Sequence, residues 1–146
     1  MRNEISRSSL IALCLACGLL AAACESVSPP EYAALEQSEL AGTRWIAARI
    51  DGAPVSGRAP RIAFAPEDRL SGSGGCNTLS AVYEAEAGAI AVRALGATER
   101  ACDDAVMQQE TAFLALLAKA AHYQREDARL VLADETGRSI EFTPAV

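Results

Sequence analysis

DDAVMQQETAFLALLAKAA, residues 103–121, is the stretch whose periodicity decides the fold. Val106, Met107, Glu110, Phe113, Leu114, Leu117 and Ala121 recur at spacings of three and four, which places them on one face of an α-helix. Asp103 and Asp104 suit the first turn, where carboxylates accept unpaired amides and oppose the helix dipole. Lys119 and His122 suit the C-terminal end for the converse reason. On either side of this stretch the apolar period is two, so the helix is an insertion among strands.

Upstream, residues 43–51 carry Trp45 and run into the turn dipeptide Asp51-Gly52, and residues 61–65 set Ile62 and Phe64 on one face. Residues 70–75 are glycine-rich, with Asn77 in the connection that follows. Residues 80–86 place Val82 and Tyr83 on opposite faces, and residues 89–94 alternate Ile90 and Val92 after a turn at Gly88. Downstream come residues 122–125, then 129–133 with Leu130 and Leu132, and 138–143 with Ile140 and Phe142. Turns at Glu126-Asp127 and Thr136-Gly137 separate them, and the last two strands form a hairpin. Seven or eight short strands with one late helix predict an α+β domain: a curved, barrel-like antiparallel β-sheet with one amphipathic helix packed on or plugging it. Closure would also remove exposed sheet edges.

The formal charge of the chain is −6. Removing residues 1–23, with Arg2, Arg7 and Glu4, leaves −7 for the remainder. A phosphate-backbone binder needs a positive face. Here Arg44, Arg49, Arg58, Arg61 and Arg69 are scattered among acidic residues and Lys119 is the single lysine, so the composition argues against nucleic acid.

Residues 1–23 read as an address. Arg2 and Arg7 precede an uncharged run of about 16 residues from Ser8 to Ala23, richest in Leu and Ala, and three alanines then meet Cys24. The run is short for a spanning helix. Its ending resembles a lipobox, in which the cysteine is acylated and becomes the new N-terminus; Ala21 occupies the position usually held by Leu or Val, with Leu20 one place earlier. An ordinary secretory signal cut after Ala23 is the alternative. Several acyl chains on Cys24 would give stable membrane anchoring. Glu25, where an inner-membrane retention signal would have Asp, favours the outer membrane, with the domain facing the periplasm. Residues 24–39, polar and containing Pro29 and Pro30, read as a tether, and residues 40–143 as the domain.

Cys14 and Cys17 belong to the signal segment and Cys24 to the anchor, which leaves Cys76 and Cys102. In an oxidising envelope an even pair in one small domain reads first as a disulfide, worth roughly 3.5 kcal/mol by chain entropy. Two buried thiols or a redox switch are the alternatives, although no C-x-x-C spacing is present to lower a thiol pKa.

Three motifs, in order, resemble the META or HslJ-like domain of bacterial envelope proteins. They are Leu40-Ala41-Gly42-Thr43-Arg44-Trp45 continuing to Ile50-Asp51-Gly52; Ser71-Gly72-Ser73-Gly74-Gly75-Cys76-Asn77 with Tyr83 after it; and Thr98-Glu99-Arg100-Ala101-Cys102 opening a helix that contains Phe113-Leu114. Ala81 stands where the family usually has Gly, which implies no demanding backbone angle there, and Arg100 stands where it usually has Met. The resemblance implies a small β-rich envelope domain, linked in some members to heat shock, antibiotic tolerance or motility, with no established catalytic residues. Lipid-cradling pilot proteins of secretins are a more distant analogy of fold.

Other chemistries find little to build on. Cys76, Cys102 and His122 lack the paired spacing of a zinc site, and no cofactor motif is present. Gly72-Ser73-Gly74-Gly75 lacks the Lys-Ser/Thr and helix of a phosphate loop, and reads as a bent strand or bulge. Ser73 lacks a nucleophile elbow, and His122 is the only histidine. Glu67-Asp68, Asp103-Asp104 and Glu126-Asp127 fall at turns or caps. Glu110, the one charge on the apolar stripe, is a partner for an arginine or a polar group lining a cavity, or else a residue at the rim. The expectation is therefore a non-enzymatic envelope lipoprotein that contacts another envelope protein. The alternative is a lipid or small-hydrophobe binder whose cavity would be lined by Val82, Leu114, Leu117 and Leu132.

Overall fold

The computed structural model describes residues 38–146. The expected signal segment, Cys24 and the expected tether as far as residue 37 lie outside the described residues. Ten elements follow one another: β1 (Thr43–Ile50), β2 (Ala53–Pro54), β3 (Arg61–Ala65), β4 (Arg69–Ser73), β5 (Thr78–Glu86), β6 (Ala89–Ala97), α1 (Asp104–Leu117), β7 (His122–Glu126), β8 (Arg129–Ala133) and β9 (Ser139–Pro144). Every pairing is antiparallel, the order is β2-β1-β3-β4-β5-β6-β7-β8-β9, and β1 pairs with β9 to close an eight-stranded barrel with β2 as a spur.

Alternation builds the barrel interior. Trp45, Ile62, Phe64, Leu70, Leu79, Tyr83, Ile90, Leu130, Leu132, Ile140 and Phe142 all point inward and are buried, and Phe113, Leu116 and Leu117 of α1 join them. Phe113 meets Phe142 edge to face at 6.3 Å, and Phe64 meets Tyr83 at 4.8 Å, a geometry that aligns ring edges with ring faces. Burial raises the Tyr83 phenol pKa, as does the charge of Asp68.

The sheet is uneven around its circumference. β5 and β6 pair along most of their length, whereas β6 and β7 share only the pair Ala89↔His122, flanked by the amides of Ile90 and Tyr123 donating to Ala121 and Gly88. The chain between these two strands forms α1, which crosses one mouth of the barrel. At the opposite mouth residues 38–42 turn in: the Gly42 amide donates to the Phe64 carbonyl, and Leu40 is wholly buried.

Two sequence expectations need correction. The helix ends at Leu117 and not at Ala121, because the Lys119 and Ala120 amides tighten into bonds three residues back and the Ala121 amide is taken by Ala133 of the sheet. Lys119 and His122 thus lie beyond its last turn, and His122 opens β7 with Glu135 at 3.6 Å. At the other end the Asp103 side chain makes no capping bond; its backbone carbonyl accepts the Val106 and Met107 amides instead. Ala81 is free of left-handed strain, as its residue type implied.

Candidate functional site

The mouth crossed by α1 holds the densest polar arrangement of the described residues, and it starts from three glycines. A Cβ on Gly72 would fall 1.9 Å from the Arg61 carbonyl oxygen, one on Gly74 would fall 2.6 Å from the Glu110 carboxylate, and Gly75 has φ +117. Side chains at these positions would clash with backbone, clash with Glu110 or strain the chain. The glycine stretch is therefore the end of β4 brought against its neighbours, followed by a tight turn that exposes the next amides.

Glu110 fills that turn. Its Oε2 accepts the Cys76 amide at 2.9 Å and the Asn77 amide at 2.7 Å, and its Oε1 accepts the Asn77 side-chain amide at 2.6 Å. Asn77 Oδ1 in turn accepts the Arg100 amide at 2.6 Å and the Thr98 hydroxyl at 2.8 Å. Cys76 and Cys102 are joined in a disulfide, with Cα atoms 6.0 Å apart. Glu110 is only 3% exposed, so it is not at the rim. Burial pushes its pKa up, but the two donated bonds from Asn77 and the one from Cys76 outweigh burial and hold it below the ordinary carboxylate value. The partner of Glu110 is thus not an arginine but a pair of backbone amides and an asparagine. Sequence reading had marked both Glu110 and Asn77 without connecting them. The usable signal was a lone acid on an apolar helical stripe together with a glycine turn whose amides need an acceptor.

The neighbouring helical residue works outward. Gln109 Oε1 accepts the Ser56 amide at 2.9 Å, and its Nε2 donates to the Arg58 carbonyl at 3.1 Å. This staples the β2–β3 connection to α1. Between helix and spur lies an open groove of about 380 Å³, lined by Ile50, Ala53, Pro54, Val55, Ser56, Ala105, Gln108, Gln109 and Ala112. Its walls are small or apolar side chains with two amides at the edge. Pro54 sits on the free side of β2, where it blunts further strand addition.

The sequence profile of the META domain matches residues 38–146. The chain belongs to the META domain family. This META domain also shares its fold with solved structures. An NMR structure of a protein from Burkholderia xenovorans is 23% identical, with a TM-score of 0.60 over 73% of this chain and 84% of that one. A second NMR structure is 21% identical, also at 0.60, over 71% and 90%. A crystal structure of a DUF4847 family protein from Bacteroides vulgatus is 16% identical, at 0.55, over 72% and 94%. At these identities the likeness is one of fold alone. Comparison with curated proteins finds no match.

The other sequence candidates are dispersed in the META domain. Leu117 and Leu132 belong to the packed core, Leu114 is half-buried against it, and Val82 faces outward at 45% exposure. These four do not line one cavity, because alternation along β5 sends Val82 to the face opposite the core. Asp134 is a further well-bonded acid that the sequence reading passed over. It accepts the Thr136 hydroxyl and amide at 2.7 and 2.9 Å, the Arg138 amide at 3.0 Å and the Arg138 guanidinium at 3.2 Å. The Thr136 hydroxyl leads in lowering its pKa to about 2. It fixes the β8–β9 turn.

Proposed function

We propose that this META domain is a non-enzymatic, lipid-anchored interaction module of the bacterial cell envelope. Acylated at Cys24, it stays on the outer membrane facing the periplasm, and the groove between α1 and β2 receives an apolar segment of an envelope protein. The observation that carries the reading is the groove itself. It is an open depression with an almost evenly polar and apolar lining, whose two walls are fixed by Gln109 and, through the helix, by Glu110 and the disulfide. A recess held rigid in the free protein needs little ordering when a partner binds. The groove also lies at the mouth opposite the one where residues 38–42 enter, so an anchored domain presents it away from the point of attachment.

A photo-crosslinking residue placed at Ala112 in cells, with Val131 on β8 as the control position, tests this. A reproducible protein adduct from Ala112 and none from Val131 is the expected result; no adduct from either contradicts it. A second reading, a carrier of a lipid or small hydrophobe, draws on the apolar residues in the lining of the same groove. Native mass spectrometry of the exported chain separates the two: a retained mass in the lipid range favours the carrier, and a bare polypeptide the protein partner.

A further inference from the structure

The barrel carries a second depression, on the outer face of β4, β5 and β6, far from α1. Arg69 pairs with Val82 and Ser71 with Ser80, so four outward side chains form a square. Directly opposed side chains stand about 5 Å apart and successive outward ones about 7 Å apart. Together with Ala94 these residues line a recess of about 280 Å³.

Three features set it apart from a solvated sheet face. Val82, 45% exposed, is the one large apolar side chain left in water among the described residues apart from the terminal Val146. Arg69 makes neither an ion pair nor a side-chain hydrogen bond among the described residues, whereas its neighbour Arg93 is held by Glu84. The nearest carboxylates in sequence, Glu67 and Asp68, belong to the preceding turn, where both have positive φ. Finally, β5 and β6 lose register between Ser80 and Val82, where Ala94 and Leu95 of β6 face Ala81 alone, and Ala94 stands at φ +51, a left-handed conformation disfavoured for a residue with a Cβ. A strained bulge therefore shapes the recess at the point where an unpaired guanidinium and two hydroxyls converge beside an apolar side chain.

We propose that this recess binds a phosphate group bearing an apolar substituent, and that the phosphate is the headgroup of an anionic phospholipid. Arg69 supplies the charge and a forked set of donors, Ser71 and Ser80 supply hydroxyls to the remaining oxygens, and Val82 meets the carbon next to the phosphate. A tetrahedral oxyanion uses three convergent donors better than a planar carboxylate does. The choice of membrane over free phosphate rests on the anchoring reading. β4 begins at the mouth where residues 38–42 enter, and that brings Arg69 to the side from which an anchored chain would arrive.

The test uses the exported chain carrying Cys24→Ser, so that no acyl chain contributes, sedimented with vesicles of phosphatidylcholine alone or with 30% phosphatidylglycerol. The bound fraction should rise with the anionic lipid. It should fall about fivefold in Arg69→Gln, the weight of one basic side chain at an anionic surface, and fall in Val82→Ser, while Arg129→Gln, which loses only an exposed pair with Glu141, leaves it unchanged. Equal binding to both vesicles, or none, overturns the membrane as the source. Glycerol phosphate that shifts the Ser71 and Ser80 amide resonances without vesicle binding would keep the recess and assign it a soluble ligand; no shift and no binding overturns the recess. Acylation of Cys24, read separately by mass, decides the anchor, so the two readings fail independently.

Discussion

At one mouth of the barrel a helix of 14 residues is tied down by a carboxylate, a disulfide and a glutamine; at the other, residues 38–42 turn in and seat one leucine. The first closure is polar and covalent, and its ties reach two segments: Glu110 and the disulfide from Cys102 both hold the β4–β5 turn, at Cys76 and Asn77, and Gln109 holds the β2–β3 connection. The second combines the burial of Leu40 with backbone bonds and three side-chain bonds to backbone: the Leu40 amide donates to the Ser38 hydroxyl, the Thr43 hydroxyl to the Leu40 carbonyl and the Arg125 guanidinium to the Glu39 carbonyl, with no buried charge and no covalent link among them. Burial is non-directional and tolerates adjustment, whereas a buried carboxylate with three donors admits one arrangement. The groove thus lies at the mouth where the backbone is most constrained, as the proposed docking role requires.

Removing the carboxylate should have the largest effect. Glu110→Ala leaves the Cys76 and Asn77 amides and the Asn77 side chain without their acceptor, and should cost about 3–5 kcal/mol in denaturant unfolding. Replacing both Cys76 and Cys102 by serine should cost roughly 3.5 kcal/mol, and adding reductant to the wild type should reproduce it. At the other mouth Leu40→Ala should cost about 2–3 kcal/mol, the toll of one buried leucine at a site that can partly collapse. If Leu40→Ala proves as damaging as Glu110→Ala, the two closures do not differ as described.

Acid should act on the polar closure first. Glu110 has a folded pKa below its ordinary 4.5, so it binds protons more weakly folded than unfolded. Its contribution is fully present above that value and is lost as pH falls through the folded one. Asp134 follows the same sign, its contribution fading between 3.8 and about 2. Thermal unfolding should therefore show a plateau in melting temperature above about pH 5 and a decline below 4.5, and Glu110→Gln should remove the upper part of that decline. The smallest effect concerns the recess. Ala94→Gly relieves a left-handed alanine but frees the unfolded chain, for a net gain of about 0.5 kcal/mol, or about 2–4 °C in melting temperature.

Much of this fold is visible in the period of its apolar residues. Ile62 and Phe64, Ile90 and Val92, Leu130 and Leu132, Ile140 and Phe142 all face inward as alternation requires, and the change of period marks α1. The spur β2 was not visible, because two residues carry no period and Ala53 and Pro54 have low strand propensity. The site was half visible. A glycine run and a lone acid can each be noticed in a sequence. That they meet is set by the register of β4 with β5 and the placement of α1, contacts 33 and 34 residues apart that no local pattern reports. The recess was hidden for a related reason: Arg69, Ser71, Ser80 and Val82 are ordinary outward residues until pairing sets them side by side.

Native-state hydrogen exchange reads the two mouths in one experiment. The Cys76 and Asn77 amides, both held by Glu110, should exchange only through global unfolding at neutral pH, while the Gly42 amide, bonded to Phe64 at the leucine-sealed mouth, should exchange through a smaller local opening. Exchange of Cys76 and Asn77 as fast as that of Gly42 would contradict this difference between the mouths.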